Sequence, residues 1–119
     1  MILKPQTLEC LSELLTRFRS DYGNPVDDVC PVLWESGVNW DLAIQAIERG
    51  EPKAFFEFLA RYETATLDEC AAAVRDVDLD FLASMLAYKG RALEHWSYGY
   101  SSDVNNFFIA GLERLLHIA

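Results

Sequence analysis

The side chains best suited to acid–base or metal chemistry are two histidines. His95 directly follows Glu94, and neighbouring residues on a helix point in different directions, so the two do not form a pair. His117 lies near the end of an apolar-periodic segment, where an imidazolium interacts favourably with the helix dipole. Neither histidine belongs to an H-E-x-x-H or other ligand spacing. The sequence therefore predicts no metal site and no cofactor.

The cysteines are three in number and widely spaced, at Cys10, Cys30 and Cys70, without a C-x-x-C pair. This pattern predicts free thiols in a reducing cytoplasm rather than a disulfide framework or a redox couple. A dyad of Cys70 with His95 stays open, because such pairs meet in space rather than in sequence. The chain is poor in the cations that lower a thiol pKa, and it has no nucleophile elbow or phosphate-binding loop. We therefore expect a protein without catalytic activity.

Three acids, Asp76, Asp78 and Asp80, form a D-x-D-x-D run that invites comparison with a calcium-binding loop. Such a loop needs glycine at its sixth position and a bidentate acid at its twelfth, where this chain has Phe81 and Ala87. Calcium binding is therefore rejected. One interpretation is that one acid caps a helix and the others face the positive end of its dipole. The alternative is an anionic surface for a basic partner.

The segment from Tyr88 to Tyr100 has the most unusual local composition, with Trp96, Tyr98 and Tyr100 around Gly99 and several serines. Tryptophan and tyrosine bury large areas at low entropic cost, which favours them at interfaces when they are exposed. Two interpretations follow. Either Tyr88 and Trp96 belong to the core and the later tyrosines bond the backbone of a turn, or Trp96, Tyr98 and Tyr100 contact a partner.

The helices that must position these residues are predicted from the spacing of apolar residues along the chain. Apolar residues recur at three- and four-residue steps between Gly, Pro and capping residues, and no segment alternates as a strand does. The prediction is an all-α chain, a compact bundle of six or seven short helices. The breaks near Gly23, Gly50 and Asp76 are about 26 residues apart, so a short stack of helical hairpins is the alternative.

Several helix boundaries are specific enough to test. The first helix is expected over Pro5 to Tyr22, with Gly23 as a left-handed C-cap. Another is expected from Trp40 to Arg49, capped by Asn39. Pro31 is expected to kink or split the second helix. The helix from Trp40 should turn Ala43, Ile44 and Ile47 inward and end at Gly50, and the helix opened by Pro52 should include Tyr62. Thr66 and Glu69 should form a capping box, Asp76 or Asp78 should cap the next helix, and a break at Gly90 is left undecided.

Composition narrows the classes of partner. The chain has 119 residues, of which 51% are hydrophobic, and nineteen acids against ten Lys and Arg give a net charge of −9. This length and composition predict one folded domain over residues 1–119. Direct nucleic-acid or membrane binding needs clustered cations, so neither is expected. The N-terminal residues lack a charged region followed by an apolar one, which favours the cytoplasm over secretion.

These observations rank three functions. The first is a small binding protein that neutralises a basic protein partner by occlusion, as an immunity protein or antitoxin does, because an acidic surface speeds encounter with a basic target. A phage-type inhibitor that mimics nucleic acid belongs to the same physical class. The second is a structural or adaptor domain that uses a hydrophobic groove or forms a homodimer. The third is an enzyme with a hidden Cys–His or carboxylate site.

Overall fold

The computed structural model describes residues 3–20, 26–95 and 104–118, and every regular element within them is helical. Seven α-helices and one 3-10 helix follow in chain order. They are α1 (Pro5–Arg19), α2 (Val26–Glu35), α3 (Asp41–Arg49), α4 (Lys53–Leu59), the 3-10 helix (Tyr62–Thr64), α5 (Leu67–Arg75), α6 (Leu79–His95) and α7 (Val104–Ile118). The all-α prediction is confirmed, as is its range of six or seven helices.

The core is built mainly from α6 and α7, which supply the largest sets of buried apolar side chains. The α6 helix packs against α2 and α3, while α7 packs against α1 and α5. Aromatic rings join these two groups of helices: Phe55 of α4 contacts Phe81 of α6 at 5.3 Å and Phe107 of α7 at 6.4 Å between ring centroids. Edge-to-face contacts of this kind favour one fixed arrangement of the helices.

The order of helix contacts distinguishes a bundle from a stack of hairpins. In a stack, each unit contacts only its neighbours in the chain. Here the most extensive contact is between α2 and α6, and α1 packs on α7. The Cα radius of gyration is 13.1 Å, close to the ~13.5 Å expected for a packed chain of this length. The structure is therefore a compact helical bundle, and the hairpin stack is not observed.

Three predicted helix ends are confirmed. The Thr66 hydroxyl accepts the Glu69 amide at 3.2 Å, and the Glu69 carboxylate accepts the Thr66 amide at 3.3 Å, which completes the capping box. The Asp78 carboxylate accepts the Phe81 amide at 3.1 Å and so caps α6. Gly50 ends α3 in the left-handed region with φ of 69°, and its amide donates to the Ala46 carbonyl at 2.8 Å.

Other boundaries differ from prediction. The α3 helix begins at Asp41 rather than Trp40, because the Asn39 side chain accepts the Asp41 amide at 3.0 Å. Tyr62 begins the 3-10 helix after α4 has ended at Leu59. The α2 helix contains Pro31 without being split, and α6 continues through its glycine at position 90. The first helix ends at Arg19, with Ser20 as its C-cap, rather than at the predicted Tyr22, and Gly23 lies outside the described residues.

The expected inward face of α3 is partly wrong. Ala43 is fully buried and Ala46 is 3% exposed, but Ile44 is 38% exposed and Ile47 is 43% exposed. The reason is the close approach of α3 to α6: the Ala43 backbone amide donates to the buried Ser84 hydroxyl at 3.0 Å. A backbone group that close to α6 leaves room only for alanines between the helices, so the larger side chains lie outside the contact.

Candidate functional site

The three predicted partner-binding acids lie at exposed positions around the junction of α5 and α6. Asp76 is the C-terminal cap of α5 and forms a weak ion pair with Arg75 at 3.7 Å, Asp78 caps α6, and Asp80 lies in the first turn of α6. Their helix-terminal positions give each of them a structural role. Binding of a basic partner by these acids stays a prediction, as it does for Trp96, Tyr98 and Tyr100, which lie outside the described residues.

The possible Cys–His dyad has an unreactive thiol. Cys70 is fully buried on α5, and burial, aided by the negative charge of Glu69, raises the pKa of its thiol to about 11. A nucleophilic cysteine needs the opposite shift, toward thiolate at neutral pH. The side chain of His95 lies outside the described residues. Within the described part of the chain, no group of three His, Cys, Asp or Glu side chains has the geometry to hold a metal ion.

A search of the same residues finds no helix with the length and apolarity needed to cross a bilayer. The surface of the described residues does, however, carry two features that combine apolar side chains with charge. One is formed by α2 and α3, and the other is a groove between α1, α5 and α7.

We call the first feature the tryptophan–isoleucine face, defined by Trp34, Trp40, Ile44 and Ile47. Trp34 is half exposed at the end of α2, and its ring contacts that of Trp40 at a centroid distance of 5.0 Å. The two isoleucines follow Trp40 at intervals of four and seven residues, which places all three on one side of α3. The face is therefore a continuous apolar stripe rather than scattered exposed side chains.

A tight turn between α2 and α3 brings the two tryptophans together. Gly37 has φ of 93°, a conformation that favours glycine, and its amide donates to the Trp34 carbonyl at 3.0 Å. The Val38 amide donates to the Leu33 carbonyl at 3.0 Å, which is the bonding of a Schellman helix end. These bonds reverse the chain within a few residues, so Trp40 at the start of α3 meets Trp34 at the end of α2.

Carboxylates lie beside this stripe. Asp41 and Glu48 are three and four residues from Ile44, so they share its side of α3. Glu35 directly follows Trp34. Asp41 lies in the first turn of α3, where the helix dipole favours an acid, but Glu35 and Glu48 lie at C-terminal helix ends, where it does not. No cation among the described residues forms an ion pair with either glutamate.

The second feature is the arginine groove, a depression of about 730 Å³ between α1, α5 and α7. Its lining residues are Leu15, Arg19, Ala71, Val74, Arg75, Ala110, Glu113, Arg114, Leu116 and His117. Its apolar side chains form a floor. The charged and basic side chains that line it are three arginines, one histidine and one carboxylate, that of Glu113. Sequence reasoning missed this groove because its cations come from three separate segments of a chain that is acidic throughout.

Sequence reasoning also missed the tryptophan–isoleucine face, although a signal for it is present. The positions of Trp40, Ile44 and Ile47 have helical period, and period alone does not show whether an apolar stripe faces the core or the solvent. The alanines at positions 43 and 46 form a second, narrower stripe on α3. Two apolar stripes on one short helix, one of small and one of large residues, leave two candidate inward faces.

The chain matches no protein-family model, and comparison with curated proteins and with solved structures gives no match. The functional argument therefore depends on the geometry of the described residues.

Proposed function

We propose that this protein binds a basic protein partner through the tryptophan–isoleucine face and blocks the surface that it covers. The observation that carries the proposal is the contact of the half-exposed Trp34 with the partly buried Trp40, next to the exposed Ile44 and Ile47 and accompanied by carboxylates. Tryptophan is the residue type most enriched among the side chains that dominate binding energy at protein interfaces. We infer the kind of function that the sequence predicts, neutralisation of a partner by occlusion, as an immunity protein or antitoxin does.

The acids beside the face support a cationic partner. Glu35 and Glu48 lie where negative charge does not stabilise their helices, so the fold gives no reason for them. In a complex they would lie around an apolar centre, and charged groups at the rim of an interface mainly accelerate association with a partner of opposite charge. The net charge of −9 adds a longer-range attraction for the same kind of partner.

The test is affinity capture from the source organism with the wild-type chain and matched variants, followed by measurements on the purified partner. We expect a basic protein that Trp34→Ala and Ile44→Gln bind about 10- to 100-fold more weakly, because each variant removes apolar contact at the centre of the face. The control is Leu67→Gln, since Leu67 is 40% exposed at the start of α5, away from the face. The control should bind like the wild type.

The carboxylates are tested separately by association kinetics at several salt concentrations. Glu35→Gln with Glu48→Gln should slow association with the captured partner and flatten its dependence on salt, while leaving dissociation nearly unchanged. Capture that is equal for the wild type and for Trp34→Ala and Ile44→Gln would contradict the proposal. A mass that rises with concentration, reverts in Ile44→Gln and is insensitive to salt would instead identify the face as a homodimer contact.

A further inference from the structure

The arginine groove differs from the tryptophan–isoleucine face in the sign of its charges. It is concave, and its floor includes Leu15 of α1, Val74 of α5 and Ala110 of α7. Its volume of about 730 Å³ lies within the range of roughly 300–1,000 Å³ that small-molecule sites occupy. It has ten lining residues, whereas a standard protein–protein interface uses about 20–30 residues on each side. The groove therefore matches a small molecule better than a folded partner.

The cations of the groove divide into two kinds. Arg19 is paired with Glu113, which neutralises both charges. Arg114 donates through Nη1 to the carbonyls of Val74 and Val77, the first at 2.7 Å, and this leaves its Nη2 and Nε hydrogens for a ligand. The remaining two lining cations are Arg75 and His117.

Arg75 and His117 lie in the last turns of α5 and α7, where the helix dipole favours positive charge, and their side chains have no strong contact with the other described residues. The only described ion pair of Arg75 is the long one with Asp76, between two side chains that are 74% and 83% exposed, and a pair so exposed contributes little. His117 is exposed in the last turn of α7 and forms no hydrogen bond or ion pair with the other described residues. Together with the free edge of Arg114, these groups are available to an anion at the rim.

We propose that the arginine groove binds a small amphiphilic carboxylate, with its apolar body on the floor and its carboxylate at Arg75 and Arg114. An apolar floor alone would accept any hydrophobic molecule, and cations alone would accept any anion. The combination favours a molecule that carries both, and a guanidinium binds a carboxylate with two parallel hydrogen bonds. This site is independent of the proposed function, because it uses different helices.

The probe is decanoate below its critical micelle concentration, with binding measured by calorimetry and located by backbone amide shifts. We expect saturable binding that shifts amides of α1, α5 and α7. Decyl maltoside, which has the same tail with a neutral head, should bind at least ~10-fold more weakly, a difference of about 1.4 kcal/mol. Decyltrimethylammonium, which has a cationic head, should bind more weakly still.

Two pairs of variants distinguish binding in the arginine groove from nonspecific binding elsewhere on the protein surface. Ala71→Glu places a carboxylate in the groove and should weaken decanoate binding at least ~10-fold, whereas Ala72→Glu, on the next exposed position of the same helix, should not. Arg75→Gln should weaken binding about 3- to 10-fold, and Arg49→Gln, an exposed arginine in the last turn of α3, should leave it unchanged.

The inference is overturned if decanoate shows no saturable binding, if decyl maltoside binds equally well, or if Ala71→Glu and Ala72→Glu behave alike. Amide shifts confined to α2 and α3 would also overturn it, because they would place the ligand on the tryptophan–isoleucine face. None of these outcomes bears on capture of a basic protein by that face, so the two proposals fail separately.

Discussion

The tryptophan–isoleucine face and the arginine groove each combine exposed apolar side chains with charges at the C-terminal ends of helices. On the face, those charges are the carboxylates of Glu35 and Glu48. In the groove, they are the basic side chains of Arg19, Arg75 and His117, in the last turns of α1, α5 and α7. A helix C-terminus carries negative partial charge, so it stabilises a cation and destabilises an acid.

The difference separates charges that the helix dipole stabilises from charges that it destabilises. The groove cations are placed where they stabilise helices, and Arg114 additionally accounts for two carbonyls at the end of α5. The two glutamates of the face are placed where they do not stabilise the fold. Net charge alone therefore says less about function than the position of each charge along its helix. Variants at these charges and on the two sides of α3 test the comparison, beginning with the largest effect.

Removing Arg114 should destabilise the protein most. Arg114→Met keeps an apolar stem but leaves the carbonyls of Val74 and Val77 without their charged donor, in a partly buried site. We expect the free energy of unfolding in urea to fall by about 2–3 kcal/mol. The control is Arg75→Met, in the same groove, which should change stability by less than about 0.5 kcal/mol. Equal effects of the two variants would contradict the structural role given to Arg114.

The two sides of α3 should respond differently to added volume or lost apolarity. Ala46→Leu places a large side chain in the narrow contact with α6 and should cost about 1–3 kcal/mol of unfolding free energy. Ile47→Ser changes the neighbouring but exposed position and should cost less than about 0.5 kcal/mol. Chemical denaturation of both variants measures this. A larger loss of unfolding free energy in Ile47→Ser than in Ala46→Leu would show that the isoleucines face the core, as predicted from the sequence.

The smallest expected change in stability comes from removing the negative charge of Glu48. Glu48→Gln should raise the free energy of unfolding by about 0.3–1 kcal/mol at low salt and neutral pH, because it removes a negative charge from a helix C-terminus. The gain should shrink as salt is added, since exposed charges are screened. Thermal unfolding at several salt concentrations checks this. A loss of stability would mean that Glu48 stabilises the fold in a way that its position does not explain.

Glu69 is the matched control, since this acid lies in the first turn of α5. A hydrogen bond from Arg61, followed by bonds from Thr66, lowers the pKa of Glu69 below its usual value of 4.5. Because the folded state holds the lower pKa, this contribution is present above pH ~4.5 and is lost as pH falls through the folded pKa. Glu69→Gln should therefore reduce stability at neutral pH and flatten its decline in acid.

The features that can be predicted from the sequence depend on residues close together in the chain, and those that cannot depend on residues far apart. The capping box at Thr66, the cap at Asp78 and the left-handed Gly50 depend on residues within four positions of each other, so local rules predict them. The orientation of α3 depends on a hydrogen bond between Ala43 and Ser84, which are 41 residues apart. Helical period carries no information on that pairing, so the inward face of α3 was predicted only in part.

The candidate sites follow the same division. Acids grouped in sequence, such as Asp76 to Asp80, are visible as a motif, and the structure places them at helix ends. The arginine groove collects residues from α1, α5 and α7, and no window of sequence contains them together. The tryptophan–isoleucine face is local, but the sequence does not tell an exposed stripe from a buried one.

The pairing of α1 with α7 has a consequence for how the chain reaches this structure. Phe18 stacks on Phe108 with ring planes 2° apart, and Arg19 pairs with Glu113 across 94 residues. Contacts of such high sequence separation raise the contact order and slow folding, since a long loop must close before they form. During synthesis, α1 has no α7 to cover its apolar side until nearly all described helices have been made. The last of the described helices to be synthesised thus completes the burial of the first of them.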